Sequence, residues 1–238
     1  MLVIGNPPDR RVTLLQAALV GLGLPPARVV AYAELLTGAV QLDKVVRPGE
    51  VVRIESPGKD SALERMLIAA AAEDLPEPGL AHLTPAALAA LPLEPGRILA
   101  SRQWYRGFMA TLERIAAQLA LCPPHQLMNR PADIATMFDK PATHARLSAA
   151  GVAVPPALGP VRSYAELIET LRAARLGRVF IKLAHGSSAS GVVAYQRQDA
   201  HQQATTTVEM VETGDEIRLY NSRRIRTYRD PAAIARLI

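Results

Sequence analysis

Two lysines and one small-residue loop carry the chemistry that this sequence offers. Lys182 closes the apolar run Val179-Phe180-Ile181. After Leu183-Ala184-His185 comes Gly186-Ser187-Ser188-Ala189-Ser190-Gly191, with two glycines and three serines. An ammonium at the end of an apolar strand is costly to bury unless an anion meets it. A loop of this composition lets several backbone N–H groups approach an anion, and phosphate is the usual one. The same stretch also reads as a hairpin with a solvated turn and a lysine that snorkels to water. It matches neither G-x-x-x-x-G-K-[ST] nor G-x-G-x-x-G. Upstream, Asp139-Lys140 offers a second lysine at the start of a helix.

The elements that must position these groups follow from periodicity and caps. Val179 to Ile181 reads as a buried strand, and Val192-Val193 opens a second one. Asp139 caps a helix to Ala150 that Gly151 closes, and Ser163 with Glu166 caps another. In that second helix Tyr164, Leu167, Ile168 and Leu171 point inward, and Gly177 ends it. Val152 to Ala157 contains Pro155-Pro156 and is extended or an edge strand.

Further upstream, Met1 to Gly5, Arg28 to Tyr32 and Val51 to Glu55 read as strands. Asp9 caps a helix with Val12, Leu15, Leu19 and Leu22 on its apolar face, closed by Gly23. Ser61 with Glu64 caps a helix through Ala72. This order argues an open α/β sheet. The loop Glu55 to Asp60 lies beyond a strand's carboxyl end, where Arg53, Ser56 and Lys59 could face a substrate; an ordinary strand-to-helix turn with a solvated lysine is the favoured reading, since such a loop is common in any α/β sheet. Asp74 to Gly96 is proline-rich and irregular, with a short helix at Thr84-Pro85. Ser101 to Leu121 is the strongest helix, with Trp104, Tyr105, Phe108, Met109, Leu112, Ile115 and Leu119 along one packing face. Cys122-Pro123-Pro124 stops it, and a domain boundary is expected there, giving units 1–124 and 125–238.

The 238 residues suffice for two modest domains, and 49% hydrophobic composition excludes a disordered chain. The charge of +5 suits an anionic ligand. Aromatic residues make up only 4%, and no nucleic-acid-binding module is recognisable, so nucleic acid is not an expected partner. Within Arg223, Arg224 and Arg226, strand alternation would put Arg224 and Arg226 on one face. The single Cys122 excludes an intrachain disulfide. Metal-binding Cys/His spacing is absent. The N-terminus does not read as a signal peptide, and the Leu67 to Ala72 run is too short to span a bilayer. A soluble cytoplasmic protein, with no membrane partner, is the default expectation.

The second half resembles the front of an ATP-grasp domain, as found in D-alanine–D-alanine ligase and glutathione synthetase type proteins. The resemblance rests on Asn129-Arg130-Pro131, Asp139-Lys140, Ala150-Gly151-Val152-Ala153-Val154-Pro155 and Val179 to Gly191, in that order, and covers about Leu127 to Tyr195. It implies an α/β fold in which a Rossmann-like open parallel sheet is followed by an incomplete α+β ATP-grasp subdomain. It implies ATP as ligand, with Lys140 and Lys182 on its phosphates and Gly186, Ser187, Ser188, Ala189, Ser190 and Gly191 as the closing loop. The family reaction activates a small-molecule or peptide carboxylate as an acyl phosphate, which an amine or thiol attacks. Catalysis of that kind rests on positioning and charge neutralisation.

The chain departs from the family downstream. Val208-Glu209-Met210-Val211-Glu212 could be the adenine hinge or a surface strand in a hairpin. No Glu-x-Asn follows, so the magnesium carboxylates of the family are not expected in this chain. The expectation is therefore a ligase-type fragment inactive alone, or else a non-catalytic nucleotide-binding or regulatory module. His185 is expected to be an exposed loop histidine rather than a base.

Overall fold

The apolar run at the N-terminus forms strand β1 (Leu2–Ile4), in which all three residues are buried. In the computed structural model, residues 1–238 are described except Lys59, Leu93, Ser187, Ser188, Asp199, Ala200 and Asp215, and the side chains of Thr213 and Arg223 are also left aside. After β1 come α1 (Arg10–Gly21), β2 (Arg28–Val30), α2 (Tyr32–Thr37), α3 (Leu42–Val45), β3 (Val51–Ile54), α4 (Ser61–Ala69), α5 (Pro85–Ala90), α6 (Ser101–Leu119) and β4 (Gln126–Leu127). The chain continues with α7 (Pro131–Phe138), α8 (Lys140–Ala149), α9 (Tyr164–Ala174), β5 (Arg178–Ile181), β6 (Val193–Gln198), β7 (His201–Thr213), β8 (Glu216–Tyr228) and α10 (Pro231–Leu237). The protein is α/β, with a parallel sheet in the order β2-β1-β3-β4 and an antiparallel sheet in the order β5-β6-β7-β8. Among the described residues no helix is long and apolar enough to cross a membrane.

The first compact unit comprises Met1–Leu75, His82–Pro95 and Arg102–Thr136. It runs past the expected boundary at 124/125 because Gln126 and Leu127 add to the parallel sheet opposite Val51 and Val52. Asn129 extends that edge with its side chain: Ile54 N–H donates to Oδ1 at 2.9 Å, and Nδ2 donates to the Ile54 carbonyl at 2.7 Å. The asparagine of the Asn-x-Pro stretch thus works as a strand mimic. On α1, Val12, Leu15 and Leu19 face the core as expected, whereas Leu22 lies beyond the helix and is exposed.

Helices α4 and α6 approach closely at Gly107. A Cβ there would lie 1.7 Å from the Leu67 carbonyl oxygen, which is backbone and cannot swing aside. Phe108 next to it is fully buried, with its ring edge-on to Tyr32.

The second unit comprises Pro76–Ala81, Gly96–Ser101 and Met137–Ile238. Its core is one face of the antiparallel sheet covered by two helices. Val193, Tyr195, Ala204 and Val208 meet Leu167 and Leu171 of α9 and Ile234 and Leu237 of α10. Each such aliphatic side chain, fully buried, contributes about 1.5–3 kcal/mol. Asp230 caps α10 through the Ala233 N–H at 2.7 Å. Gly96–Ile98 covers part of the β8 edge: Asn221 N–H donates to the Gly96 carbonyl at 2.7 Å and Ile98 N–H to the Leu219 carbonyl at 2.8 Å.

Strand β5 is not buried on both faces as its apolar run suggested. Val179 and Ile181 join the core, while Phe180 is 71% exposed. The alternation that exposes Phe180 also turns Arg178 and Lys182 outward.

Gly107→Ala should destabilise the protein by about 1–3 kcal/mol or more, because the two helices must separate to admit the methyl group. Urea unfolding measures this; a variant as stable as the parent would show that the α4–α6 approach is not as tight as described.

Candidate anion site at the start of α8

Phe138 is buried at the end of α7, and Asp139 then adopts an extended conformation before α8 begins. The Asp139 carboxylate caps that helix, accepting from Ala142 N–H at 3.0 Å. Its backbone makes an antiparallel bridge with His185, and Lys140 N–H donates to the Ala184 carbonyl at 3.0 Å. These contacts tie the first turn of α8 to the segment that follows β5. They also carry the Lys140 side chain to the loop, where its ammonium donates to the Gly186 carbonyl at 2.9 Å.

Lys182 lies just beyond β5, exposed. Its charge reaches Lys140: partial burial, then repulsion from the Lys182 ammonium, hold the Lys140 ammonium below the ordinary lysine value of 10.5, with Asp139 opposing. The two lysines singled out in the sequence are therefore close enough to repel each other.

The loop is fixed at both ends of its described part. Gly186 has φ 136°, a region open to glycine. At the far end a Cβ on Gly191 (φ 67°) would lie 2.8 Å from the Leu183 side chain. Ala189 and Ser190 form the turn with Gly191, and Val192 N–H donates to the Ala189 carbonyl at 3.3 Å. Gly191 thus seats against Leu183, while Gly186 is the loop residue bonded to a lysine. Ser187 and Ser188 lie outside the described residues.

His185 is not the exposed loop histidine expected. Its side chain is largely buried, with Nε2 at 3.6 Å from the Asp139 carboxylate. This pairing depends on the bridge register between two distant segments, which neither local sequence announces.

The other sequence candidates are engaged elsewhere. Arg53 donates to the buried Glu55 at 2.6 Å, and the Ser56 hydroxyl accepts from Gly58 N–H at 3.4 Å. Lys59 lies outside the described residues. Val208 to Glu212 pair with β8 in the long hairpin. Arg224 and Arg226 do not share a simple strand face, because the register shifts between Thr206 and Val208 and β8 bulges. Arg226 is bound to Glu209 at 2.6 Å and to the Ser222 hydroxyl at 2.6 Å, leaving Arg224 exposed.

Comparison with protein-family models, with curated proteins and with solved structures finds no match to this chain. Among the described residues no group of three or more His, Cys, Asp or Glu side chains is placed to hold a metal ion.

Lys140 fixes the sign of one pH effect. Its folded value lies below the unfolded one, so in the window up to 10.5 the unfolded chain binds more protons. The contribution of Lys140 is unfavourable while both states are charged and is relieved as pH rises through that window. Unfolding free energies from about pH 7 to about pH 10 should therefore rise more steeply for the parent than for Lys140→Met. Parallel profiles would show that Lys140 is not perturbed.

Proposed function

We propose that the second unit binds the polyphosphate of ATP at Lys140 and Lys182, as the start of an ATP-grasp type site. One observation carries this reading. Two ammonium groups lie within electrostatic reach of each other, and a glycine-bearing loop is bonded to one of them. Such a pair is unfavourable when empty and is stabilised by any multiply charged anion between or beside the two. Loop backbone groups around a glycine at positive φ add weaker donors.

On this reading Lys182 meets phosphate from solvent, and Lys140 meets it by exchanging the Gly186 carbonyl for a phosphate oxygen. The loop from Gly186 to Gly191 would cover the phosphates and exclude water.

The reaction itself rests on the resemblance alone. There a carboxylate oxygen attacks the γ-phosphorus, ADP leaves, and an amine or thiol displaces phosphate from the acyl phosphate. Binding is what the geometry supports best, and ligation is its natural extension in a protein that carries the remaining groups.

Isothermal titration with ATP tests the reading. Lys140→Ala and Lys182→Ala should each weaken binding by about tenfold or more, the loss of one charge-assisted contact. Lys59→Ala should leave it nearly unchanged. Equal losses from Lys182→Ala and Lys59→Ala would mean that the phosphate site lies elsewhere.

A further inference from the structure

The last turn of α9 and the residues after it border a groove that the ATP reading does not use. The groove has a volume of about 380 Å³ and is lined by Ile168, Leu171, Arg172, Arg175, Leu176 and Arg197. Its lining is therefore three leucine or isoleucine residues and three arginines, with no acidic residue among the described residues. Leu171 is buried and Leu176 is 44% exposed, so apolar surface is left open to an occupant. Arg172 and Arg175 are exposed and make no ion pair with an acidic side chain among the described residues.

The walls are held by backbone contacts. Leu176 N–H donates to the Leu171 carbonyl at 3.0 Å, and Arg197 N–H to the Gly177 carbonyl at 2.7 Å. Gly177 has no room for a side chain, since a Cβ would lie 2.8 Å from the Arg197 carbonyl oxygen. The groove is thus pinned between α9 and β6 rather than formed by mobile side chains alone.

Arg175 supplies the more specific observation. It is the C-cap of α9 and sits in the left-handed region, with φ 53° and ψ 38°. Glycine takes this conformation without steric penalty and arginine does not. A cation near a helix C-terminus interacts well with the last carbonyls, which accounts for Arg172. It does not require an arginine at the one strained position, where any residue before or after would serve the same charge. The strain instead brings a second guanidinium to the groove.

We propose that this groove binds a small organic anion with an apolar body, namely an acyl or aryl carboxylate or a phosphate monoester. The Arg172 and Arg175 guanidinium groups would receive the oxyanion through paired N–H donors. Ile168, Leu171 and Leu176 would cover the apolar part. The volume falls within the range of about 300–1,000 Å³ usual for small-molecule sites.

The test is a two-dimensional amide NMR titration of the full chain with octanoate, phenyl phosphate and inorganic phosphate in separate arms. Octanoate or phenyl phosphate should shift signals from residues 168–177 and 197 in a saturable way, and the stronger of the two identifies the oxyanion. Inorganic phosphate should bind there at least about tenfold more weakly, because it fills none of the apolar surface. Arg172→Gln with Arg175→Gln should weaken the better ligand by about tenfold or more, while Arg178→Gln, outside the groove, changes it by less than about twofold. Arg175→Gly removes one guanidinium and the strain together, so its melting temperature should rise while its affinity falls. Equal binding of inorganic phosphate, equal loss in Arg178→Gln, or unchanged affinity in Arg175→Gly would each overturn the proposal. Saturable shifts confined to the Lys140 and Lys182 region would overturn it as well and would leave the ATP reading standing.

Discussion

Lys140 and Lys182 repel each other, so their proximity has to be imposed by something other than mutual attraction. The backbone imposes it. Asp139 bridges to His185, and Lys140 N–H is bonded to the Ala184 carbonyl, so the start of α8 is clamped to the segment that follows β5. Once those bonds form, both lysine stems leave from neighbouring points. The proton affinity of Lys140 is lowered first by its partial burial and then by this repulsion. The cost is partly offset by the Asp139 charge and by the Gly186 carbonyl, which accepts from the ammonium. Two cations held near each other in this way are stabilised by any multiply charged anion beside them.

The antiparallel sheet makes this clamp sturdy. Its inner face is closed by α9 and α10, and side-chain alternation then sends Arg178, Phe180 and Lys182 to the other face of β5. In the parallel-sheet unit the comparable charges are used internally. Glu55 is buried and takes up Arg53, and its carbonyl accepts from the Tyr32 hydroxyl at 2.6 Å. That difference separates the two places where sequence suggested a ligand. One has a cation held against another cation, and the other has its cation matched by an acid.

Features set by a few adjacent residues were legible in the sequence. Asp9, Asp139 and Ser163 cap the helices that their spacing announces. The α/β class and a parallel first sheet follow from the order of elements. Features set by distant partners were not legible. Gln126 and Leu127 are too short a run to read as a strand until Val51 and Val52 lie beside them. By composition Gly177 reads as the stop of α9, yet Arg175 takes the left-handed position, and Gly177 is needed for the approach of Arg197. The bulge in β8 breaks the alternation on which the arginine reading relied. His185 reads as an exposed loop histidine, whereas the bridge to Asp139 places a carboxylate beside it. For the candidate site, the residue types could be read, but the contact that joins them could not.

The central claim is that the two lysines share one electrostatic field. The most direct measurement is the titration of the Lys140 side chain, followed by carbon-detected NMR of labelled lysine, in the parent and in Lys182→Gln. Removing the neighbouring positive charge should raise the Lys140 value toward 10.5. A Lys140 titration that is the same in both proteins would show that the ammonium groups do not sense each other, and the phosphate site would lose its basis.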